Sequence, residues 1–188
     1  ANDWINSAVP RNIGYTHWCL AESALKKQQP SEFVSHMKEA ILLTKEAISR
    51  AEPVRERKNE QRKGLNNITY FVMRVMEQQE KGIPKLASKV ILKKYITALE
   101  DIMKPMDGGV VDVFALDTLA WAHGFLGNVQ KRDEMQMKTA KAVYELAQRN
   151  ANEQIVTFSN LKTFLRKDLH DIVNGVAAIL NPSLAGTP

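Results

Sequence analysis

Apolar residues recur along this chain at intervals of three and four, in one stretch after another, and each stretch is closed by a proline, a glycine or a short polar run. That period lines one face of an α-helix, whereas a half-buried strand needs strict alternation. Strand-like alternation bounded by turn residues occurs nowhere. From about residue 11 to 28 the periodic positions are Ile13, His17, Leu20, Ala21, Ala24 and Leu25. Pro30-Ser31 interrupts them, and Ser31 offers an N-cap for a helix with Phe33, Met37, Ala40, Ile41, Thr44 and Ile48 on one face. Pro53 bends or ends that helix.

The polar run 55–63 has no apolar stripe and reads as a solvated helix end or connector. Periodicity resumes with Leu65, Ile68, Val72, Val75 and Met76 and stops near Gly82. Pro84 suits the first turn of a following helix, whose apolar face is read as Leu86, Val90, Ile91, Ala98, Leu99 and Ile102. Pro105 and Asp107-Gly108-Gly109 end it. A helix over about 111–126 aligns Leu116, Leu119, Ala120 and His123, and Gly127-Asn128 separates it from a partner over about 133–150. A last long helix carries Ile155, Phe158, Leu165, Leu169, Ile172 and Val176, with Asn174-Gly175 as a cap or kink.

The expected architecture is therefore all-α: antiparallel helical hairpins arranged as an irregular stack or a helical bundle. A chain of 188 residues, 44% hydrophobic and 25% charged, fits one globular domain over 1–188 with loose ends at about 1–10 and 182–188. No apolar run approaches the roughly 18 residues that span a bilayer, so the chain reads as soluble. The single cysteine, Cys19, excludes an intrachain disulfide framework and any several-cysteine metal site. The start at Ala1-Asn2-Asp3 reads as a processed end. The compartment stays open, with export to a periplasm favoured over the cytoplasm.

The stretch Leu116-Asp117-Thr118-Leu119-Ala120-Trp121-Ala122, then Gly127, then 142–147 resembles a tetratricopeptide-type hairpin, in which small and large apolar residues interlock two antiparallel helices. Weaker likenesses place further turns at Gln28 and Gly82. The turn spacings of 54 and 45 residues depart from the family period of about 34. The resemblance implies a non-catalytic interaction or accessory protein that binds another polypeptide in a groove. Trp18, Trp121 and Phe125 are the candidate partner-binding residues.

Charge offers a second reading. Residues 55–94 hold eleven Lys or Arg against four Glu, a net of +7 within an overall +5. Arg55, Arg57, Lys58, Arg62, Lys63, Lys85, Lys89 and Lys93 form the candidate basic patch, the last three spaced by four as on one solvated helix face. Such a patch attracts an acidic partner, a nucleic acid or an anionic surface, and otherwise serves solubility. No aromatics interleave with the lysines and no glycine-rich phosphate loop is present, which sets nucleic acid behind a protein partner.

Residues that carry chemistry are scattered. His17 and Cys19 lie on opposite sides of a helix, so His17 reads as a hydrogen-bonded core residue and Cys19 as a small hydrophobe. Glu32 and His36 are spaced i, i+4 with Glu39 three further on, the unit of a bundle metal site, but no second helix carries a matching unit. They remain weak metal candidates, beside a third reading of the chain as a metal or cofactor protein around His17, His36 or His123. His123 falls on an apolar face beside Gly124, where a neighbouring helix could come close. The methionines at 73, 76 and 103 read as core filler. No nucleophile motif is present, so no catalytic residue and no cofactor is assigned and the balance leans away from an enzyme.

Overall fold

A computed structural model describes residues 5–51, 58–103, 112–151 and 170–180, and among them every element is helical. The helices are α1 (Ile5–Lys26), α2 (Pro30–Ala51), α3 (Lys58–Gln79), α4 (Lys89–Met103), α5 (Val113–Phe125), α6 (Val129–Ala151) and α7 (His170–Leu180). The all-α expectation holds. The chain reads as one domain in sequence, whereas its helices gather into two compact units, Ala1–Met106 and Asp107–Pro188. Of the ends expected to be loose, residues 5–10 are the first turns of α1, and the rest lie outside the described residues.

In the first unit α1 and α2 form a hairpin, and α3 lies against both. The three-residue connection 27–29 forces α1 and α2 to run antiparallel. α1 passes through Pro10, which has no N–H to offer the carbonyl of Asn6. Arg50 of α2 donates to that carbonyl instead, at 3.0 Å. The hairpin closes tightly at Gly14: a Cβ there would lie 2.8 Å from Thr44 Oγ1 and 3.0 Å from the Ala40 carbonyl oxygen. The Thr44 hydroxyl already donates to that carbonyl at 2.7 Å, so neither atom is free to move aside. Ala21 and Ala24 extend the same small-residue seam and are fully buried.

Bulk comes from α2 and α3. Phe33, Met37 and Ala40 fill the hairpin side, and Leu65, Ile68, Phe71, Val72, Met73, Val75 and Met76 run along α3. A two-pronged ion pair ties α1 to α3, with Arg74 Nε and Nη2 each 2.8 Å from one oxygen of Glu22 and Nη1 on Glu77.

Three helices end in the same way. The residue after the last turn takes a left-handed backbone, Gln28 (φ 59°), Gly82 (φ 101°) and Gly127 (φ 80°). The next N–H then reaches back five residues: Gln29 to the Ala24 carbonyl (2.9 Å), Ile83 to Gln78 (3.3 Å) and Asn128 to His123 (2.8 Å). These are the three turns read from the sequence.

The start of α4 corrects the sequence reading. The helix begins at Lys89 and not beside Pro84, because the Gln79 side chain captures the chain in between. Its Oε1 accepts from the N–H groups of Leu86 (2.6 Å) and Ala87 (2.8 Å), and its Nε2 donates to the Ala87 carbonyl (3.1 Å). Ser88 then caps α4, accepting from Ile91 N–H at 3.3 Å. The buried side of α4 is Leu92, Ile96 and Leu99, while Val90, assigned to the core from its spacing, is 77% exposed.

In the second unit Asp112 caps α5 through bonds from the N–H groups of Phe114 and Ala115, both 3.1 Å. α5 packs on α6, and α6 on α7. The last helix seen in the sequence is described only as α7, with Val173 and Ala177 buried and Asn174-Gly175 inside it; its positions before 170 lie outside the described residues.

Two substitutions test these arguments by chemical denaturation. Gly14→Val should cost about 1–3 kcal/mol, since the new side chain meets backbone at the α1–α2 seam. Gln28→Gly should instead stabilise by about 0.5–1 kcal/mol by relieving the left-handed position.

Candidate functional site

The periodic residues of α1 divide between two faces. Ala21 and Ala24 face the core beside Gly14, but Ile13 and Leu20, read from the sequence as part of the same buried stripe, are 46% and 45% exposed. Val9, also 46% exposed, lies one turn before Ile13. Positions 9, 13, 16 and 20 follow the four-three-four spacing of one helix edge, and the exposed Thr16 completes the row. Small residues can approach α2 closely, and that proximity leaves the large ones outside. Val9 was not singled out in the sequence; the signal for the true inner face was the run of small residues at 14, 21 and 24.

Beside this row, the hairpin brings together two histidines that lie 19 residues apart in sequence. His17 on α1 and His36 on α2, each half-buried, meet with their Nδ1 atoms 3.1 Å apart and ring centroids 5.3 Å apart. One ring must donate and the other accept, since two N–H groups would collide and two lone pairs would repel. His17 is thus hydrogen-bonded as expected, but at the edge of the core. Glu32 is exposed near the start of α2 and accepts from Gln29 Nε2 at 3.2 Å. Glu39 is also exposed. Among the described residues no three metal-ligating side chains converge.

Cys19 corrects another expectation: it is exposed and is not a small core residue. Partial burial, then the neighbouring Cys19, push the Tyr15 hydroxyl above its ordinary pKa.

Trp18 sits half-buried where α1 meets α3, against Tyr15 (5.0 Å between centroids), Tyr70 (5.6 Å, edge-on) and Phe71 (6.0 Å, stacked). Its indole N–H is buried without a hydrogen-bond partner among the described residues. Most of its ring surface is thereby committed within the first unit. Trp121 and Phe125 are half-buried on α5, in the second unit. His123 is buried as expected, at 3% exposure, and a Cβ on Gly124 would lie 3.0 Å from the Arg132 side chain of α6. An open depression at the start of α6 is lined by Asn128, Val129, Gln130 and Lys131.

The basic patch is less regular than its spacing suggests. Lys85 belongs to the non-helical segment held by Gln79, so Lys85, Lys89 and Lys93 do not share a helix face. Lys89 and Lys93 are exposed on α4. Lys63 donates to Glu60 Oε1 at 3.0 Å, Arg62 donates to Asn59 Oδ1 at 2.6 Å, and Lys58 is exposed. Arg55 and Arg57 lie outside the described residues. Among the described residues no helix is long and apolar enough to cross a membrane.

Glu60 is the acidic node of this region. Burial alone would raise its pKa, but the hydrogen bond from Lys63 and the charges of Arg11 and Lys63 outweigh it and hold the carboxyl below its ordinary value. Arg11 Nε reaches it at 2.9 Å, linking α1 to α3. A depressed carboxyl stabilises the fold above its unfolded pKa, and that contribution is lost as pH falls through the lower, folded value. Urea unfolding should therefore find Glu60→Gln less stable than the parent at pH 7, with the difference shrinking as pH falls through the carboxylate range.

No protein-family model, curated protein or solved structure matches the chain.

Proposed function

We propose that this chain is a non-catalytic binding protein that takes an apolar helical segment of another polypeptide along the outer edge of α1. The observation that carries this reading is the exposed row Val9, Ile13 and Leu20, with Thr16 between them. Large apolar side chains in a continuous line, set on a helix whose other face is firmly seated, are the usual mark of a contact surface. The row runs from residue 9 to 20, roughly 16 Å along the helix, and its spacing complements anchors at i, i+4, i+7 and i+11 of a partner helix. The tetratricopeptide-like hairpin of α5 and α6, with Trp121 and Phe125, is a further surface for the same class of partner.

A second reading is favoured by the exposed lysines: Lys85, Lys89 and Lys93 have no ion-pair partner among the described residues, and they accompany the 77%-exposed Val90. On that reading an acidic partner is held by charge, and binding falls steeply with salt.

Capture from source-cell extract at low and high salt separates the two, with Ile13→Glu/Leu20→Glu and Lys85→Glu/Lys89→Glu/Lys93→Glu proteins as comparators. The expected result is a partner kept at high salt by the parent and the lysine variant, and weakened at least about tenfold by Ile13→Glu/Leu20→Glu. Both altered α1 positions are half-exposed, so that variant should stay folded, with each substitution changing stability by about 0.5 kcal/mol or less. A partner lost at high salt and lost by the lysine variant, but retained by the α1 variant, would overturn the first reading in favour of the second.

A further inference from the structure

We propose that His17 and His36 together form a binding site for a divalent transition-metal ion of the Zn2+ or Cu2+ class, clamped between α1 and α2. Two imidazole nitrogens bound at about 2.0–2.1 Å to a tetrahedral ion lie roughly 3.3 Å apart. The Nδ1 atoms of this pair already stand 3.1 Å apart, one from each helix. Placing an ion there requires rotation of the two rings and a shift of a few tenths of an ångström, with no rearrangement of the helices.

The positions of the two rings are fixed by the hairpin. Gly14, one turn before His17, sets the close approach of α1 to α2. Phe33 and Met37, each fully buried, seat the turn of α2 that carries His36. Both rings are half-buried, so the ion has an access route and room for water in its remaining positions. Glu32 and Glu39 are exposed one turn to either side of His36, and their charges favour a cation there.

The proton arithmetic closes. In the metal-free pair a single proton lies between the two Nδ1 atoms. On binding, that proton moves through solvent to Nε2 of its own ring, and both Nδ1 lone pairs turn to the ion, so neutral rings bind without net proton release. With two protein ligands and water in the remaining positions, the site is an exchangeable one with a Kd in the micromolar range. The ion spans two helices and stabilises the folded hairpin in proportion to its occupancy. This inference stands on the histidine geometry alone and does not depend on what binds α1.

The test is titration of the full chain with Zn2+ alone, followed by calorimetry and by nitrogen NMR of the imidazole rings. The expected result is one site, a thermal upshift of roughly 3–6 °C at ten-fold excess over Kd, and metal-bound Nδ1 signals confined to His17 and His36. His17→Gln and His36→Gln should each weaken binding at least tenfold and remove the upshift, and His170→Gln should change neither. The NMR arm uses the parent protein and remains decisive should a variant misfold. No site tighter than about 1 mM, or Zn2+ signals on rings other than His17 and His36, would overturn the proposal.

Discussion

The first unit depends on how close α1 comes to α2. At Gly14 the two backbones are separated by no more than a hydroxyl and a carbonyl oxygen, both already paired with one another. Everything else in the hairpin is positioned by that approach. It excludes large side chains from the seam, so Ala21 and Ala24 fill it. It leaves Ile13 and Leu20 on the outside, and it brings His17 against His36. Arg50 answers the carbonyl that Pro10 leaves open, and Arg74 holds the far side of α1 to α3 through Glu22. One contact between small residues thus determines the core, the exposed apolar edge and the histidine pair.

Charge in the same unit is arranged around two acidic nodes. Glu22 and Glu60 each receive arginine across a helix boundary, Glu22 from Arg74 and Glu60 from Arg11. Both pairs are partly shielded from water, where such contacts contribute more than surface pairs do. The basic residues of α4 lie outside these networks. The strongly positive stretch of the sequence is therefore two different things in space: a region near Glu60 whose charge is partly neutralised, and a region at 85–93 whose lysines remain exposed.

Helix identity was legible in the sequence because each apolar run keeps a helical period and each stop carries a residue suited to it. The turns at Gln28, Gly82 and Gly127 follow from where each periodic run stops and from the hairpin likeness. The inward face of α1 was legible only at Ala21 and Ala24, because two stripes share the helical period. A hydropathy reading prefers Ile13 and Leu20, while the backbone separation prefers Gly14, Ala21 and Ala24. The start of α4 was misread for a similar reason. Pro84 is a good first-turn residue, but a side-chain amide seven residues upstream of Leu86 occupies the backbone groups that a helix would use. The histidine pair depends on the register between two helices, which no local pattern encodes.

The small seam also determines how the unit holds its stability. α1 contributes glycine and alanine to its seam with α2, and these bury little apolar area, whereas α3 buries Ile68, Phe71, Val72, Met73 and Val75. Apolar burial sets most of the free energy needed to expose a segment, so the two helices occupy different ranks in the native ensemble. α1 is held by close contact, by three arginine ties and by Trp18 against Tyr70 and Phe71, which places its amides among those that exchange before the core of α3. The helix with the outward-facing apolar row is thus tied in by close contact, ion pairs and the Trp18 ring, with no fully buried large side chain among its described residues.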